Sequence, residues 1–296
     1  MHVELTSRCI LSCPGCPRTA LIDRLGSFPK QDLDLDQFAR FVDTDAGRAI
    51  ARFLLEGNHG DPIYYPHLLE FVDRFRAHKN YVIVTNGARR DAEFWHALAS
   101  RLTDQDRIIF SIDGLPENNH IYRRNTDWAS IEQALQILQT YPVQVTWKTI
   151  VFSYNYDQLE QIQALAKSFG ADFVSQTTSR FGDESLRPPQ HLVEDFREYH
   201  TTTPLVTEIQ PQCAKHATEY VSADGYYWPC CWVSSAFTLY KSQLWAQRDQ
   251  WSTKDRTVDQ LRNQLANWID HMQSDPDVVC KMLCKSGNPV FPSHLD

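Results

Sequence analysis

Six short runs of β-forming residues alternate with amphipathic helical stretches up to about residue 178, and this alternation constrains the fold most strongly. Because a helical stretch separates successive strands, the strands are expected to lie parallel, joined by right-handed crossovers. The pattern therefore predicts an α/β fold of six (β/α) units. The predicted strands are Val3–Thr6, Arg52–Glu56, Tyr81–Thr85, Arg107–Ile112, Val143–Phe152 and Asp172–Thr177. The predicted helices are Asp36–Ala49, Pro66–Ala77, Asp91–Ser100, Trp128–Thr140 and Tyr156–Phe169.

The alternation ends near Ser179, and the composition of the chain changes twice after it. Residues 179–211 are rich in proline and polar residues, which predicts a bridge carrying one helix near Val193–Tyr199. From residue 212 the chain contains cysteines, tryptophans and the dipeptide Asp224-Gly225, a strong hairpin signal between β-forming residues. We therefore expect a barrel-like domain at 1–178, a bridge at 179–211 and a small domain at 212–296.

Charge and hydropathy exclude several classes of function. The net charge of −8 disfavours a general binder of nucleic acid or anionic membranes, which needs a basic face. No run of about 18 apolar residues predicts a membrane span, and the N-terminus lacks a signal-peptide pattern. The eight cysteines cluster in a way that favours metal ligation over disulfides. We expect a cytoplasmic protein that binds neither nucleic acid nor membrane.

Three cysteines near the N-terminus, Cys9, Cys13 and Cys16, follow directly on the first predicted strand. Three thiolates on one tight loop can hold three corners of a cubane iron–sulfur cluster. The next cysteine is Cys213, so one iron would remain open to bind and activate a small molecule. The alternatives are a zinc loop, which normally requires four ligands, and simple burial of the thiols.

The C-x3-C-x2-C spacing after a short strand resembles the signature of the radical S-adenosylmethionine (SAM) enzymes. The resemblance covers residues 2–178 and implies a partial (β/α)6 barrel with a [4Fe–4S] cluster on these three cysteines. It also implies that the open iron binds SAM and that one electron cleaves SAM to methionine and a 5′-deoxyadenosyl radical. The implied electron donor is a protein of the flavodoxin or ferredoxin type.

Further motifs fall at the carboxyl ends of the predicted strands, where α/β folds gather their chemistry. The segment from Gly57 to Pro62 resembles the family's Gly-Gly-Glu-Pro motif, which holds the SAM amino group. The resemblance implies SAM-binding roles for Gly57, Asn58, Gly60, Asp61, Asn86, Ser111, Asp113, Arg123, Arg124 and Asn155. Within this set it assigns Asp61 to the amino group, Ser111 or Asp113 to the ribose, one arginine to the carboxylate and Asn155 to the adenosine. Gln176 or its neighbours are expected to face substrate or adenine.

The C-terminal cysteines form a second pattern. Cys213, Gly225 and Cys230 stand in a C-x11-G-x4-C arrangement, and Cys280-x3-Cys284 follows. This resembles the twitch and SPASM domains that add auxiliary iron–sulfur clusters to radical SAM barrels. The resemblance implies one auxiliary [4Fe–4S] cluster on Cys213, Cys230, Cys280 and Cys284, with Cys231 left over as a buried thiol. A zinc site with four thiolates is the alternative.

The resemblance implies an enzyme whose radical abstracts a hydrogen atom from a substrate. A peptide or protein is preferred, to be crosslinked, oxidised or epimerised, and Trp228, Trp232 and Tyr240 are expected to line a groove for it. The alternative is dehydrogenation or rearrangement of a small molecule such as a sugar or amino-acid derivative. A non-catalytic iron–sulfur protein is a third interpretation. Because the barrel pattern begins at about residue 3, a leader-peptide reader is expected to be a separate protein or to be unnecessary.

Overall fold

Six parallel strands, arranged in chain order, make up most of one eight-stranded sheet. A computed structural model describes residues 1–77, 79–178, 181, 186–189, 209, 213, 219–235, 241–272 and 274–284. The six parallel strands are β1 (His2–Val3), β2 (Arg52–Leu55), β3 (Asn80–Thr85), β4 (Arg107–Ser111), β5 (Gln144–Ile150) and β6 (Asp172–Gln176). Each pairs in parallel with the next, which confirms the predicted α/β fold with six parallel strands.

Helices follow the strands as the alternation predicts, with two differences. They are α1 (Pro17–Leu25), α2 (Leu35–Val42), α3 (Asp45–Arg48), α4 (Leu68–Arg74), α5 (Ala92–Ala99), α6 (Trp128–Leu138) and α7 (Leu159–Ser168). Helix α1 was not predicted, although Pro17 at its first turn and the left-handed Gly26 at its C-cap are helix boundary signals. The single helix predicted over Asp36–Ala49 was wrong, because the Thr44 hydroxyl accepts a hydrogen bond from the Gly47 amide and starts a new helix there.

Alternating residues of the strands build two different faces. The face toward the helices is fully buried and contains Phe53, Tyr81, Ile108 and Trp147, each at 0% exposure. The opposite, inner face carries a separate apolar cluster of Leu54, Val82, Val84 and Ile109, which retain 4–7% exposure. The sheet is therefore covered by helices on one side, while its inner side remains slightly more accessible.

A short hairpin from the C-terminal part of the chain extends the sheet beyond β1. Strand β7 (Tyr220–Val221) pairs in parallel with β1, and β8 (Tyr227–Trp228) pairs antiparallel with β7. The Ser222 amide donates to the Tyr226 carbonyl across the turn, and Gly225 has a φ of 80°, as in a three-residue hairpin loop with a glycine bulge. The Asp224-Gly225 signal thus predicted the hairpin, and the turn is one residue longer than the two-residue form.

Among the described residues, four further α-helices follow the hairpin: α8 (Cys231–Ser234), α9 (Gln243–Ala246), α10 (Val258–Met272) and α11 (Val278–Leu283). The expectation that Trp228 lines a surface groove was wrong, since this side chain is 1% exposed and its indole donates to the Ser222 hydroxyl. Trp232 is 50% exposed, and Tyr240 lies outside the described residues, as does the helix predicted near 193–199. In the described ranges, no helix combines the length and apolar character needed to cross a membrane.

Candidate functional site

The cysteine loop lies over the carboxyl ends of the central strands. Leu11 and Cys13 pack in one apolar cluster with Ala88, Ile150 and Phe152, which follow or end β3 and β5. Cys9 and Cys16 border the same cluster. Cys16 is also the N-cap residue of α1, so the loop ends where that helix begins. The fold thus places the three thiols at the edge of the sheet where the predicted SAM motifs also lie.

Polar groups from two other loops contact these thiols. The Asn86 side-chain amide donates to the Cys9 sulfur at 3.7 Å, and the positive charge of Arg123 acts on the Cys13 thiol to lower its pKa. Burial raises the pKa of Cys9 to about 12, and burial raises that of Cys13 to about 11 although Arg123 opposes the rise. Thiols that are protonated in the metal-free protein must lose protons when they bind iron, and neighbouring N–H donors stabilise the resulting thiolates.

Two glycines in the loop after β2 allow it to close against β1. A Cβ on Gly60 would lie 1.8 Å from the Thr6 carbonyl oxygen, and one on Gly57 would lie 2.8 Å from a Glu4 carboxylate oxygen. Backbone in such contact leaves no room for a side chain. Gly60 is therefore required by the close approach of the loop to the segment after β1, and Gly57 by the Gly60 carbonyl of its own loop and by Glu4.

Glu4, which sequence analysis did not single out, organises this loop from inside the protein. Its buried carboxylate accepts hydrogen bonds from the His59 amide at 2.7 Å, the Gly60 amide at 3.2 Å and the Tyr220 hydroxyl at 2.7 Å. Burial acts to raise the pKa of Glu4, but His59 and Tyr220 outweigh it, so the pKa lies below its ordinary value. A charged residue inside the apolar run Val3–Leu5 was the signal that pointed to this role.

Asp61 connects the loop after β2 to the end of β3. Its carboxylate accepts from the Ile63 amide at 3.2 Å, the Thr85 hydroxyl at 2.8 Å, the Asn86 amide at 2.6 Å and the Asn86 side chain. A carboxylate offers about four acceptor sites, so these donors occupy its hydrogen-bonding capacity. Burial nevertheless raises the pKa of Asp61 to about 6. The carboxylate thus holds Asn86 against Cys9.

Asp113 and Arg123 form a buried ion pair beside the cysteine loop. The Arg123 Nε lies 2.5 Å from one Asp113 oxygen, and the other oxygen accepts from the Ile150 amide at 2.6 Å. The Asp113 side chain is 0% exposed and that of Arg123 is 15% exposed. Asn155 reinforces the arrangement, because its side chain donates to the carbonyls of Asp113 and Ile150. The structure therefore brings Asp113, Arg123 and Asn155 together, as a frame that joins β4 to β5.

The remaining predicted residues occupy different positions around this centre. Ser111 is buried at the end of β4, on the inner face of the sheet. Arg124 is exposed, and its carbonyl accepts a hydrogen bond from the Ser12 amide of the cysteine loop. Gln176 is half-buried at the end of β6. The Asn58 side chain donates to Cys231 and Ser234 in the C-terminal part of the chain.

Polar residues inside the sheet were also missed by sequence reasoning. The strand register places Thr146 beside Ile109 and Lys148 beside Ser111, on the inner face. The Lys148 ammonium lies 3.9 Å from the Glu56 carboxylate, and the buried Thr146 hydroxyl has no hydrogen-bond partner within the described part of the chain. A lysine between the β-forming residues of β5 was the available signal.

The C-terminal cysteines also gather in space. Charge interactions raise the pKa of Cys230 through Cys231, Cys213 and Cys284, in addition to the larger effect of burial. A hydrogen bond with Cys284, burial and the charge of Cys230 raise the pKa of Cys280. Cys231 differs, because burial and the Glu56 carboxylate raise its pKa, to about 12. Cys230 thus interacts with Cys213, Cys231 and Cys284, and Cys280 interacts with Cys284 and Cys230, whereas the charge that acts most on Cys231 is that of Glu56.

Both groups of thiols have the donor chemistry of iron–sulfur ligands. Across the described ranges, no three His, Cys, Asp or Glu side chains show the geometry of an assembled metal centre. The fit to a cluster therefore rests on the donor types, their proximity and the N–H groups around Cys9 and Cys13.

Comparison with known proteins identifies the family. The Radical SAM superfamily profile matches residues 3–166, more than half of the chain. GTP 3′,8-cyclase of Syntrophomonas wolfei subsp. wolfei is 25% identical over 219 residues, which cover 69% of this chain and 64% of the cyclase. PqqA peptide cyclase of Streptomyces rochei is 24% identical over 228 residues, which cover 76% of this chain and 61% of that cyclase. The matched regions span between 49% and 64% of the curated relatives.

Solved structures share the fold. Streptococcus suis SuiB bound to its precursor peptide SuiA aligns with a TM-score of 0.56 at 12% identity, over 79% of this chain and 60% of SuiB. The enzyme anSMEcpe with bound AdoMet also aligns with a TM-score of 0.56, at 15% identity, over 88% of this chain and 79% of that chain. The chain belongs to the radical SAM superfamily of enzymes. Membership implies a [4Fe–4S] cluster and SAM as cofactors.

Proposed function

We propose that this chain cleaves SAM reductively and uses the resulting radical to abstract a hydrogen atom from a peptide or protein substrate. The observation that carries the proposal is the convergence of the Cys9–Cys16 loop, Asn86 and Arg123 at one edge of the sheet. When bound, the cluster and SAM supply the electron transfer and the 5′-deoxyadenosyl radical. The proposal includes a reduced flavodoxin or ferredoxin as the electron donor.

The protein groups that we propose for SAM binding differ in how much of their hydrogen-bonding capacity is already used within the protein. Arg123 uses its Nε for Asp113, and its guanidinium carries four further N–H donors that suit the SAM carboxylate. Ser111 offers a hydroxyl on the inner face for the ribose. Asp61, Asp113 and Asn155 already bond neighbouring groups, so in this proposal they hold the binding loops in place.

We place the substrate on the inner face of the sheet. Its floor is apolar, which suits radical chemistry because a dry site suppresses side reactions. Polar groups of both donor and acceptor type are added by Lys148, Glu56 and the Thr146 hydroxyl, for which the described residues offer no hydrogen-bond partner. A peptide amide, which both accepts and donates, matches these groups. Similarity to PqqA peptide cyclase supports a peptide substrate.

A small-molecule substrate is the second candidate. Similarity to GTP 3′,8-cyclase, over 69% of this chain, favours it. The same Lys148 and Glu56 groups would then bind the polar atoms of a sugar or amino-acid derivative, which the enzyme would dehydrogenate or rearrange. The product distinguishes the two candidates, since only the first gives a modified peptide.

The experiment is anaerobic turnover of the reconstituted protein with SAM and dithionite, followed by mass spectrometry for 5′-deoxyadenosine. We expect 5′-deoxyadenosine from the wild-type protein and none from the variant in which Cys9, Cys13 and Cys16 are all alanine. Candidate peptides are then added, and modification is read as a mass loss of about two hydrogens for one desaturation or crosslink. Equal 5′-deoxyadenosine from both proteins would contradict the proposed cleavage site, and turnover of small molecules alone would contradict the peptide substrate.

We further propose that Cys213, Cys230, Cys280 and Cys284 hold an auxiliary [4Fe–4S] cluster, in a twitch-like domain at about 212–296. Charge interactions of Cys230 with Cys213 and Cys284, and of Cys280 with Cys284 and Cys230, support this set. The C-x11-G-x4-C spacing favours Cys230 over Cys231, which also interacts with Cys230. Two complete clusters would give about eight irons per chain. Changing Cys230 to serine should remove about four of them, whereas the matched change at the neighbouring Cys231 should leave the iron content unchanged. Equal iron loss in the two variants would contradict the ligand assignment.

A further inference from the structure

Asn58 lies in the loop after β2, yet its side chain is bound to the C-terminal part of the chain. Its amide nitrogen donates to the Cys231 carbonyl and to the Ser234 hydroxyl, both at 2.8 Å. The Ser234 hydroxyl in turn donates to the Cys231 carbonyl at 2.9 Å. Three polar groups therefore close one hydrogen-bonded ring between the two segments, and the buried Ser234 keeps that ring partly shielded from water.

The helix that Asn58 contacts cannot hold its position unaided. Helix α8 has only four residues, and a single helical turn is unstable by itself because nucleation costs more than one turn recovers. Its N-cap residue is Cys230, which we assign to the auxiliary cluster. The position of Cys230 thus depends on tertiary contacts of α8, and Asn58 supplies two of them.

The loop that carries Asn58 is held in place by its own contacts, so its position can determine the position of α8. Gly57 and Gly60 pack against neighbouring backbone with no space for a Cβ. Glu4 adds a second connection to the C-terminal part, because it accepts from the loop amide of His59 and from the Tyr220 hydroxyl on β7. The loop and the C-terminal segment are therefore joined directly through Asn58 and indirectly through Glu4.

We propose that Asn58 is a positioning residue that couples SAM binding in the barrel to assembly of the auxiliary metal centre. The proposal rests on the proposed function, which supplies both cofactors. SAM binding stabilises the Gly57–Asp61 loop in this fixed conformation, and that loop holds α8 in the arrangement in which Cys230 reaches its metal. The coupling is reciprocal: loss of the auxiliary cluster weakens SAM binding by the same factor as loss of SAM weakens the cluster.

The test measures SAM affinity of the anaerobically reconstituted holoenzyme by equilibrium dialysis, together with the electron paramagnetic resonance spectrum of the reduced clusters. Asn58→Ala should weaken SAM binding about fivefold or more and shift the auxiliary-cluster signal. Asn263→Ala, an exposed asparagine on α10, is the matched control and should change neither quantity. Cys284→Ala, which removes the auxiliary cluster, should weaken SAM binding in the wild-type background and much less in the Asn58→Ala background.

Ser234→Ala provides a milder variant, since it removes one acceptor and leaves the bond from Asn58 to Cys231. It should weaken SAM binding in the same direction by a smaller factor, and it carries the test where Asn58→Ala yields no soluble holoenzyme. The coupling is contradicted if Asn58→Ala has the same SAM affinity and cluster spectrum as the Asn263→Ala control. It is also contradicted if the double variant Asn58→Ala/Cys284→Ala loses SAM affinity by the product of the two single losses. Absence of 5′-deoxyadenosine from the wild type would instead overturn the proposed function, because the affinity measurements do not depend on turnover.

Discussion

Asp61 should make the stability of the metal-free protein fall as pH rises, opposite to the behaviour of an ordinary salt-bridged aspartate. Burial raises its pKa from 3.8 to about 6, although the Asn86, Thr85 and Ile63 donors oppose the rise. Below pH 3.8 the carboxyl is protonated in both the folded and the unfolded states. Between pH 3.8 and 6 the unfolded chain ionises first, so the free energy of unfolding decreases through this window.

The magnitude follows from the size of the pKa shift. A rise of about two units corresponds to roughly 3 kcal/mol, lost between about pH 4 and 7. Asp61→Asn removes the titrating group while keeping its shape. Any effect of the asparagine on its neighbours is the same at every pH, so it does not change how the free energy of unfolding varies with pH. The difference in unfolding free energy, wild type minus variant, should therefore fall by about 3 kcal/mol over this range.

The assay is urea unfolding of the reduced, metal-free protein at several pH values between 4 and 7.5. Asp32→Asn is the matched control, because its pKa is shifted in the opposite direction. Burial acts to raise the pKa of Asp32, but the hydrogen bonds of Arg8 and Thr6 outweigh it and leave the pKa below its ordinary value. Because the folded-state pKa of Asp32 lies below 3.8, its difference curve should rise with pH only below about pH 4 and stay nearly flat over the range in which that of Asp61 falls. If the free energy of unfolding varied with pH in the same way for the wild type and Asp61→Asn, the reasoning would be refuted.

Two further predictions concern rigid parts of the site. Asp113→Asn should cost about 3–5 kcal/mol in urea unfolding, because it leaves the Arg123 charge buried without its partner, and adding Arg123→Met should recover part of the loss. Equal destabilisation by the single and double variants would contradict this explanation. Gly60→Ala should weaken SAM binding about tenfold or more, since the new Cβ would meet the Thr6 carbonyl oxygen and displace the loop. A tenfold loss of affinity corresponds to about 1.4 kcal/mol of binding free energy. Gly26→Ala is the control: its left-handed φ of 77° makes the alanine strained and lowers stability, but no atom lies within 4 Å of the new Cβ, so SAM affinity should not change.

The sequence predicted the six strands because the signals that define them are local. Runs such as Tyr81–Thr85 and Arg107–Ile112 alternate with helical periods, and the structure differs from them by one residue at an end. The break between α2 and α3 was missed because hydrophobic periodicity continues across it, while the Thr44 cap that interrupts the helix is a single side chain. The Thr44 cap thus determines the boundary between α2 and α3, which hydrophobic periodicity does not reveal.

The contacts within the site were harder to predict, because they depend on residues that are distant in sequence. Glu4 bonds Tyr220 across 216 positions, and Asn58 bonds Cys231 across 173 positions. The sequence does show that a charged residue interrupts a strand or that an asparagine occupies a loop. It does not show which distant group will take the hydrogen bond, since the fold alone determines that pairing. Residues singled out as ligands, Asp113 and Asn155 among them, bond the backbone of neighbouring strands.

Three buried carboxylates explain how the strand ends acquire a fixed arrangement. Glu4 joins the loop after β2 to β7, Asp61 joins it to the end of β3, and Asp113 joins β4 to β5 and to Arg123. Buried carboxylates are stable only when donors surround them, so each one enforces the loop geometry that supplies those donors. Hydrogen-atom abstraction requires reacting atoms to be held within a short distance, and misplacement by about 1 Å is costly. A frame of saturated carboxylates provides that rigidity, which leaves the guanidinium of Arg123, the Ser111 hydroxyl and the loop backbone as the groups that we propose to bind the cofactor.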